Sequence, residues 1–279
     1  MSVLTIVKDR PGHLEQLIEG LRRSDVMPNE FIAVDMGSDP PVKLGDMPFP
    51  ARVVRLDGDG LPLAAARNLA ARRATGELLL FLDVDCIPMR GLIGSMVKVL
   101  EAHAALVCAQ VRYLGPDDAR GSWQEADLLG RSAGHPVRRF PASGIRRVEE
   151  AGLFWSLTFG ILRESFFDLG GFDERFTGYG AEDTDFGFRA REAQLPLLFM
   201  GGPGAFHQHH DTFDPPLQHF ADILRNAARF RGKWGIWPME GWLAAFQKAG
   251  LIRLTDEQID VVRYPTSREI LLACSSPAF

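Results

Sequence analysis

Short apolar runs alternate with segments of helical periodicity through the N-terminal half of this chain, and that alternation leaves few folds open to it. Helical patterns cover residues 13–23, 63–74 and 92–103. The apolar runs, which we interpret as strands, are at residues 3–7, 30–35, 52–56, 77–82 and 105–113. Such alternation is typical of β-α-β units, in which a helix connects two parallel strands. The sequence therefore predicts an α/β domain with helices packed on an open sheet.

The remainder of the chain is less regular. Residues 115–143 have mixed polarity and no clean period, which indicates an irregular connection with a short helix. Two consecutive prolines, Pro215 and Pro216, then break the chain, and helical patterns dominate residues 217–262. We therefore expect a main domain over residues 1–215 and a helix-rich extension over residues 216–279 that packs on it.

Composition narrows the class of protein. The chain has 279 residues and a net charge of −5, which gives no reason to expect nucleic acid as a partner. No stretch reaches the roughly 18 uncharged apolar residues that a membrane helix needs, so no membrane span is predicted. Its three cysteines are odd in number and widely spaced, which favours reduced thiols and a cytoplasmic protein over a disulfide framework.

Two acidic residues follow the most apolar of the predicted strands. Asp83 and Asp85 come directly after the run at residues 77–82. In an open α/β sheet, ligands bind outside the carboxyl ends of the strands, so carboxylates placed there are available for chemistry. Oxygen ligands spaced by one residue suit a hard divalent cation. Taken alone, the pair is also compatible with a turn capped by aspartates.

Three of the seven histidines stand within four positions, in the segment 204–210 that reads GAFHQHH. Because alternate side chains of a strand point to opposite faces, the three imidazoles cannot all face one ion from a simple strand. On the segment alone, a polar loop without a metal is the preferred interpretation.

Several motifs together resemble the central part of the family-2 glycosyltransferases of the GT-A fold. They are Ala65-Ala66-Arg67-Asn68-Leu69-Ala70, Ala74-Thr75-Gly76-Glu77, Phe81-Leu82-Asp83-Val84-Asp85 and the turn Val34-Asp35-Met36-Gly37-Ser38-Asp39. A second block resembles the β-1,4-galactosyltransferases and chondroitin-type enzymes. Its motifs are Phe154-Trp155-Ser156-Leu157-Thr158, Gly170-Gly171-Phe172-Asp173 and Gly178-Tyr179-Gly180-Ala181-Glu182-Asp183.

The resemblance implies a nucleotide-diphospho-sugar transferase fold, with a Rossmann-like mixed sheet flanked by helices. It further implies a metal-dependent, inverting transfer of a sugar from a nucleotide diphosphate donor, UDP-sugar above all, to a hydroxyl of a carbohydrate or other acceptor. The expected cofactor is Mn²⁺ or Mg²⁺, since a divalent ion neutralises the charge on the departing diphosphate.

The resemblance also assigns roles to individual carboxylates. Asp85 is expected to coordinate the metal, and Asp83 to reach the ribose or, through water, the metal. Asp183 is expected to act as the base that takes the acceptor proton, while Glu182 orients the acceptor. The acids around Glu182 also suit the first turn of a helix, where the helix dipole favours them, and both interpretations can hold together.

Nucleotide and acceptor contacts follow from the same resemblance. Asp35 is expected to contact the uracil or ribose, although Met36 stands where the family often has a second acid. Arg67 either pairs with the diphosphate or is a solvated residue of an alanine-rich helix. Trp155 and Tyr179 are the candidates for stacking on the acceptor sugar.

The family's spacing identifies one histidine of the cluster. In the resembled galactosyltransferases a histidine after the acidic helix completes the metal site, and counting back from the stretch at 215–220 leads to His207. If the segment is extended, His209 shares the face of His207 and is a second candidate ligand. His210 would then be a surface or hydrogen-bonded residue.

Two other classes of function stay open on the sequence. One is a nucleotidyltransferase that forms the activated sugar, and the other is a non-catalytic nucleotide- or carbohydrate-binding protein on the same fold. The basic and aromatic residues of the extension, which include Arg231, Trp234, Trp237 and Trp242, fit either an acceptor surface or packing. We favour packing, because large aromatic residues more often lie in a core.

Overall fold

A computed structural model describes residues 1–58 and 60–275. Its centre is a ten-stranded sheet, beside which lie two small two-stranded sheets. In chain order the strands are β1 (Ser2–Val7), β2 (Glu30–Asp35), β3 (Ala51–Arg55), β4 (Leu78–Leu82), β5 (Cys86–Pro88), β6 (Leu106–Tyr113), β7 (Ala133–Gly134), β8 (Ile145–Val148), β9 (Thr158–Leu162), β10 (Leu197–His207), β11 (Thr212–Phe213), β12 (Ile252–Leu254), β13 (Ile259–Val261) and β14 (Cys274–Ser275).

Helices cover the sheet and continue into the C-terminal extension. They are α1 (Pro11–Arg22), α2 (Leu63–Arg73), α3 (Leu92–Ala102), α4 (Glu125–Arg131), α5 (Arg163–Asp168), α6 (Glu182–Glu192), α7 (Phe220–Trp234), α8 (Glu240–Lys248) and α9 (Ser267–Ala273). The predicted helices at residues 13–23, 63–74 and 92–103 are confirmed to within two residues at each end. The irregular connection after residue 115 contains its short helix as α4, together with β7.

The sheet has a parallel half and a mixed half. Its main order is β3-β2-β1-β4-β9-β6-β10-β5, and β3, β2, β1 and β4 are parallel to one another. Strand β9 then runs antiparallel between β4 and β6. Because β1, β2 and β4 end at the same edge, the residues that follow them, Asp83 and Asp85 included, lie at one side of the molecule.

The two faces of the sheet are both buried, which is why its central strands have continuous apolar runs. Successive residues of β4 go to opposite faces: Leu79 and Phe81 join one core cluster, with α2, α5 and α6, and Leu80 and Leu82 join the other, with α1 and α3. At the irregularity in the pairing of β10 with β6, a Cβ on Gly204 would collide with the backbone carbonyl of Gln110. Glycine there lets β10 stay against β6 as far as His207.

The extension has its own core, built from α7, α8 and the segment around β12. Trp237 and Trp242 pack against this cluster, so the predicted packing role of the tryptophans is confirmed for them. The helix-rich segment predicted over residues 217–262 contains α7 and α8, but its last part is not helical, because residues 252–261 form the hairpin β12–β13. Within each of these two strands the first and third residues are apolar and the second is charged, which is the period of a strand.

The extension is tied back to the main domain by the pairing of β14 with β11. The boundary between residues 215 and 216 stays a prediction, and residues 276–279 of the predicted extension lie outside the described residues. Within the described ranges, no helix is long and apolar enough to cross a membrane.

Candidate active site

The turn after β4 presents the acidic pair. The backbone N–H of Asp83 donates to the carbonyl of Leu157, and the N–H of Cys86 donates to the carbonyl of Asp83 at 2.8 Å. The turn therefore returns the chain into β5 immediately after Asp85. Both carboxylates are partly exposed, with 24% of the Asp83 side chain and 15% of the Asp85 side chain accessible, so that a ligand can reach them.

Asp85 lies beside two histidines. Its Oδ1 is 3.5 Å from Nε2 of His207, and its Oδ2 is 3.5 Å from Nε2 of His210. The ligand atoms of these three residues all lie within 4.8 Å of one another. The antiparallel pairing of β5 with β10 produces this arrangement, since it sets Cys86 opposite His207 and lets the N–H of Gln208 donate to the Asp85 carbonyl. A carboxylate and two imidazoles form a donor set for a divalent cation.

The charges in this group suit a cation. Burial lowers the pKa of His207, so its imidazole is neutral near pH 7 and has a lone pair for a metal. Burial by itself would raise the pKa of Asp85, but His207, His210, Arg10 and His13 together hold this pKa below its usual range. The carboxylate is therefore ionised.

The structure differs from the sequence-based expectation for His209 and His210. Strand β10 ends at His207, so alternation between faces does not continue through residues 208–210. The turn brings His210 to Asp85 and directs His209 elsewhere. The carbonyl of His209 accepts a hydrogen bond from Nε2 of His13 at 3.3 Å, and its own Nε2 is buried without a hydrogen-bond partner. Of the two, His210 is the geometric partner of His207.

Arg67 joins the acidic turn to the second acidic motif. Its guanidinium is 5% exposed, with Nη2 3.1 Å from Asp83 Oδ1 and Nη1 3.2 Å from Glu182 Oε1. The alternative in which Arg67 is a solvated helix residue is thus wrong, because α2 turns this side chain into the protein. Burial and, to a smaller extent, the charge of Asp85 raise the pKa of Asp83 to about 6 against the opposing effect of Arg67.

Glu182 and Asp183 begin α6, as the first-turn interpretation predicted. The residue before them, Ala181, is left-handed with φ of 71°. Burial and the charge of Asp183 raise the pKa of Glu182 to about 7. Burial also raises the pKa of Asp183, although Arg67 and the backbone N–H of Thr184 oppose this effect. The helix N-terminus thus presents two carboxyl groups that do not both ionise easily.

The predicted nucleotide and acceptor residues have identifiable surroundings. Asp35 ends β2 and is 1% exposed; its Oδ1 accepts from the N–H of Ser38 at 2.8 Å and its Oδ2 from Arg55 at 2.6 Å.

Trp155 is partly exposed and forms an edge contact with His135, at 4.8 Å between ring centroids. Tyr179 stacks on His219 at 4.3 Å. Their contacts with a nucleotide or acceptor stay predictions.

Sequence reasoning missed Arg138, which lies in the irregular connection. It is 4% exposed, its Nε and Nη2 have no hydrogen-bond partner, and its guanidinium lies 4.9 Å from the centroid of the Trp155 ring. No periodicity marks this position. His13 was also missed. It lies in α1, the helix that follows β1, and residues beyond the carboxyl end of a strand in an open α/β sheet are candidates for ligand binding.

The fold and site define a class. One half of the sheet is parallel and ends in an acidic turn after β4, and the other half contains an antiparallel strand beside a helix with an acidic start. This is the architecture of the GT-A glycosyltransferases. The GalNAc-T7 structure with UDP, GalNAc and Mn²⁺ matches with a TM-score of 0.57 at 17% identity, over 75% of this chain and 43% of that one. The mannosyltransferase PcManGT of Pyrobaculum calidifontis, in complex with GDP-Man and Mn²⁺, matches with a TM-score of 0.53 at 18% identity, over 88% and 64%.

Family comparisons give the more specific assignment. Residues 2–168 match the model of glycosyl transferase family 2, and residues 145–211 match the model described as the N-terminal domain of galactosyltransferase. The chain belongs to glycosyl transferase family 2.

A curated relative supports the same enzyme class. The validoxylamine A glucosyltransferase of Streptomyces hygroscopicus subsp. limoneus is 28% identical, in a match that covers 82% of this chain and 56% of the relative. The chain thus spans little more than half the length of that protein. The family to which the chain belongs is one of glycosyltransferases.

Proposed function

We propose that this glycosyltransferase is metal-dependent and inverting, and that it transfers a sugar from a UDP-sugar to an acceptor hydroxyl. The observation that carries the proposal is the grouping of Asp85, His207 and His210 at the same sheet edge as Asp83, which Arg67 connects to Glu182. The two acidic motifs, which Arg67 joins, thus offer both a cation-binding donor set and a pair of carboxyl groups with raised pKa values.

The donor set fits a divalent cation. Asp85 supplies an ionised carboxylate, and His207 supplies a neutral imidazole. This mixed oxygen and nitrogen ligand set suits Mn²⁺ better than Mg²⁺, because Mg²⁺ prefers oxygen ligands alone. When bound, the ion supplies charge neutralisation for the departing diphosphate. Asp83 then contacts the ribose or a water molecule beside the donor. UDP is favoured over other nucleotides because the GalNAc-T7 structure holds it and because the second family match is to a galactosyltransferase domain.

Asp183 is the proposed base. Its carboxylate takes the proton of the acceptor hydroxyl as that oxygen bonds to the anomeric carbon, while the bond from this carbon to the diphosphate oxygen breaks and releases UDP. A single displacement by one acceptor attacks the face opposite the leaving group and inverts the configuration. Glu182, with its pKa raised to about 7, is partly protonated at neutral pH and donates a hydrogen bond that orients the acceptor.

Trp155 and Tyr179 are the proposed acceptor contacts. Burial raises the pKa of Tyr179, and the charges of Glu182 and Asp183 raise it as well. An aromatic face there can stack on the apolar face of a sugar. Asp35 is proposed to meet the nucleotide through the turn that it organises with Ser38 and Arg55.

The direct test is binding and turnover with defined nucleotides. In a thermal-shift experiment, UDP with Mn²⁺ should raise the melting temperature, because a ligand that binds only the folded state stabilises it. UDP-sugars should then release UDP slowly without acceptor and faster with one. Asp85→Ala should remove the Mn²⁺-dependent shift, whereas Asp168→Asn, at an exposed acid on α5, should retain it.

Two results would oppose the proposal. A chain that no nucleotide diphosphate stabilises with Mn²⁺ would lack the donor site. Release of sugar phosphate only on addition of pyrophosphate would identify the nucleotidyltransferase alternative.

A further inference from the structure

Asn226 of α7 lies under the loop that leads into the acidic helix. It is 0% exposed, and its Nδ2 lies 3.0 Å from the carbonyl oxygen of Thr177, 3.2 Å from that of Tyr179 and 2.9 Å from that of Gly180. These carbonyls belong to the residues immediately before Glu182. A side chain of the C-terminal extension therefore supplies the hydrogen-bond donor for the backbone of an active-site loop.

The loop needs such a donor because of its conformation. Gly178, Gly180 and Ala181 have φ values of 73°, 97° and 71°, and successive left-handed residues turn carbonyls toward one side instead of into a helix or strand. Buried carbonyls that converge repel one another unless a donor lies between them. The Asn226 amide must therefore have its Nδ2, and not its Oδ1, toward the loop, because Oδ1 in that place would face three carbonyl oxygens.

The same helix also contacts α6 further along. Asp185, in the first turn of α6 and 0% exposed, accepts from Trp234 Nε1 at 2.8 Å and pairs with Lys233 Nζ at 2.6 Å. Phe230 of α7 packs on Phe188 of α6, at 5.2 Å between ring centroids. Helix α7 thus holds the segment that carries Glu182 and Asp183 both before its first residue and within its first two turns.

The loop at residues 177–181 packs closely against the C-terminal extension. A Cβ on Gly178 would collide with the carboxylate of Asp222 on α7, and a Cβ on Gly180 would lie 2.9 Å from Sδ of Met239. The loop thus rests directly on the extension, with Asn226 as the donor at the centre of the contact.

We propose that Asn226 is a positioning residue for transfer: through the carbonyls of Thr177, Tyr179 and Gly180 it sets the place of the Glu182 and Asp183 carboxyl groups. Because its side chain is fully buried, Asn226 would act through the loop and not by contact with donor or acceptor. This inference rests on the proposed role of Asp183, and it makes the extension part of the catalytic machinery. A displacement of about 1 Å at a reacting group costs on the order of 100-fold in rate, so a small shift of this loop is measurable.

Two variants test the proposal. Asn226→Asp keeps the size of the side chain and replaces the donor with an oxygen that repels the three carbonyls, and Asn226→Ala removes the donor without adding charge. We expect kcat to fall by about 10- to 100-fold with Asn226→Ala and further with Asn226→Asp, while KM for the nucleotide sugar stays within about twofold. The metal and nucleotide groups lie on other elements, so donor binding should survive.

Hydrogen exchange of the intact chain provides a readout that does not depend on activity. In the Asn226 variants, peptides covering residues 176–186 should exchange faster, whereas those of β1 and β4 should not change. The control is Phe246→Leu, a fully buried position in the core of the extension that has no part in the hydrogen bonds from Asn226 to the loop carbonyls. It should lower the melting temperature without accelerating exchange in the loop.

The outcomes separate this inference from the proposed function. Faster loop exchange with an unchanged kcat would overturn the positioning role, as would an equal loss of kcat in the Phe246→Leu control. Unchanged loop exchange in Asn226→Ala would also overturn it. A wild-type chain that releases no UDP from any nucleotide sugar would instead contradict the proposed function, and the exchange data would still decide whether Asn226 holds the loop.

Discussion

Arg67 and Glu182 form an ion pair across 115 residues of chain, with Nη1 3.2 Å from Oε1 and both side chains at most 7% exposed. The pair joins α2, which precedes the acidic turn, to the first residue of α6. Because Asp83 binds the other nitrogen of the same guanidinium, the two acidic motifs are held at a constant separation. This relationship is the structural link between the donor side and the acceptor side of the candidate site.

Replacing Arg67 with methionine should destabilise the fold by about 3 kcal/mol, because Glu182 and Asp83 would lose the cation that compensates their buried charge. Urea unfolding at pH 7 measures the change. The matched control is Arg72→Met on the same helix, whose partner Glu174 is 3.4 Å away in an exposed pair. That change should cost at most about 1 kcal/mol. Equal losses for the two variants would contradict the importance of the buried network.

Asp183→Asn should lower kcat by about 10²- to 10⁴-fold, since an amide cannot take the acceptor proton. Binding of the nucleotide sugar, measured by calorimetry with Mn²⁺, should stay close to wild type, because the cation-binding group is formed by other residues. Asp168→Asn serves as the exposed control on α5. Retention of more than a tenth of the wild-type kcat in Asp183→Asn would rule out this base.

We expect His207 and His210 to bind the metal and His209 not to bind it. His207→Ala and His210→Ala should each weaken Mn²⁺ binding in the presence of UDP by at least about tenfold, because each removes a donor beside Asp85. His209→Ala should have little effect on metal affinity, since this imidazole is outside the group. Titration of Mn²⁺ followed by electron paramagnetic resonance measures the affinities. The reverse pattern, with His209 essential and His210 dispensable, would show that the segment binds metal in a different conformation.

Glu30 should contribute a pH-dependent part of the stability. Burial opposes ionisation of this carboxyl, but hydrogen bonds from Thr75 and Ser2 and the charge of Arg52 lower its pKa from 4.5 to about 2. A pKa lowered by folding adds stability that is fully present above pH 4.5 and is lost as the pH falls from there toward 2. Glu30→Gln should therefore cost about 1–2 kcal/mol at pH 7, and the difference from wild type should shrink below pH 4.5.

Free energies of unfolding from pH 7 to pH 3 measure this effect. The control is Glu77→Gln, an exposed position directly before β4, which should change the stability by no more than about 0.5 kcal/mol at pH 7. A difference between Glu30→Gln and wild type that stays constant across this pH range would exclude a contribution from ionisation.

The elements that could be predicted are those with a local signature. Strands β1, β2 and β4 are continuous apolar runs because both faces of the sheet are buried, and α1 and α3 carry apolar residues at helical spacing. The place of Asp83 and Asp85 follows from the same pattern, since residues after a buried strand must lie at the sheet edge. The motif resemblance then supplied the family, because several short motifs in a given order are specific even where each is weak.

The rest depended on contacts between distant parts of the chain. The sequence by itself determined the α/β sheet, its acidic edge and the acidic start of α6. Tertiary structure decided that β9 enters antiparallel between β4 and β6, that the turn after β10 brings His210 rather than His209 to Asp85, and that Arg67 is buried between two acids. It also decided that Asn226 lies under the active-site loop. The periodicity of apolar residues indicates which face of a helix or strand is buried. Which other element packs against that face depends on the tertiary structure of the whole domain.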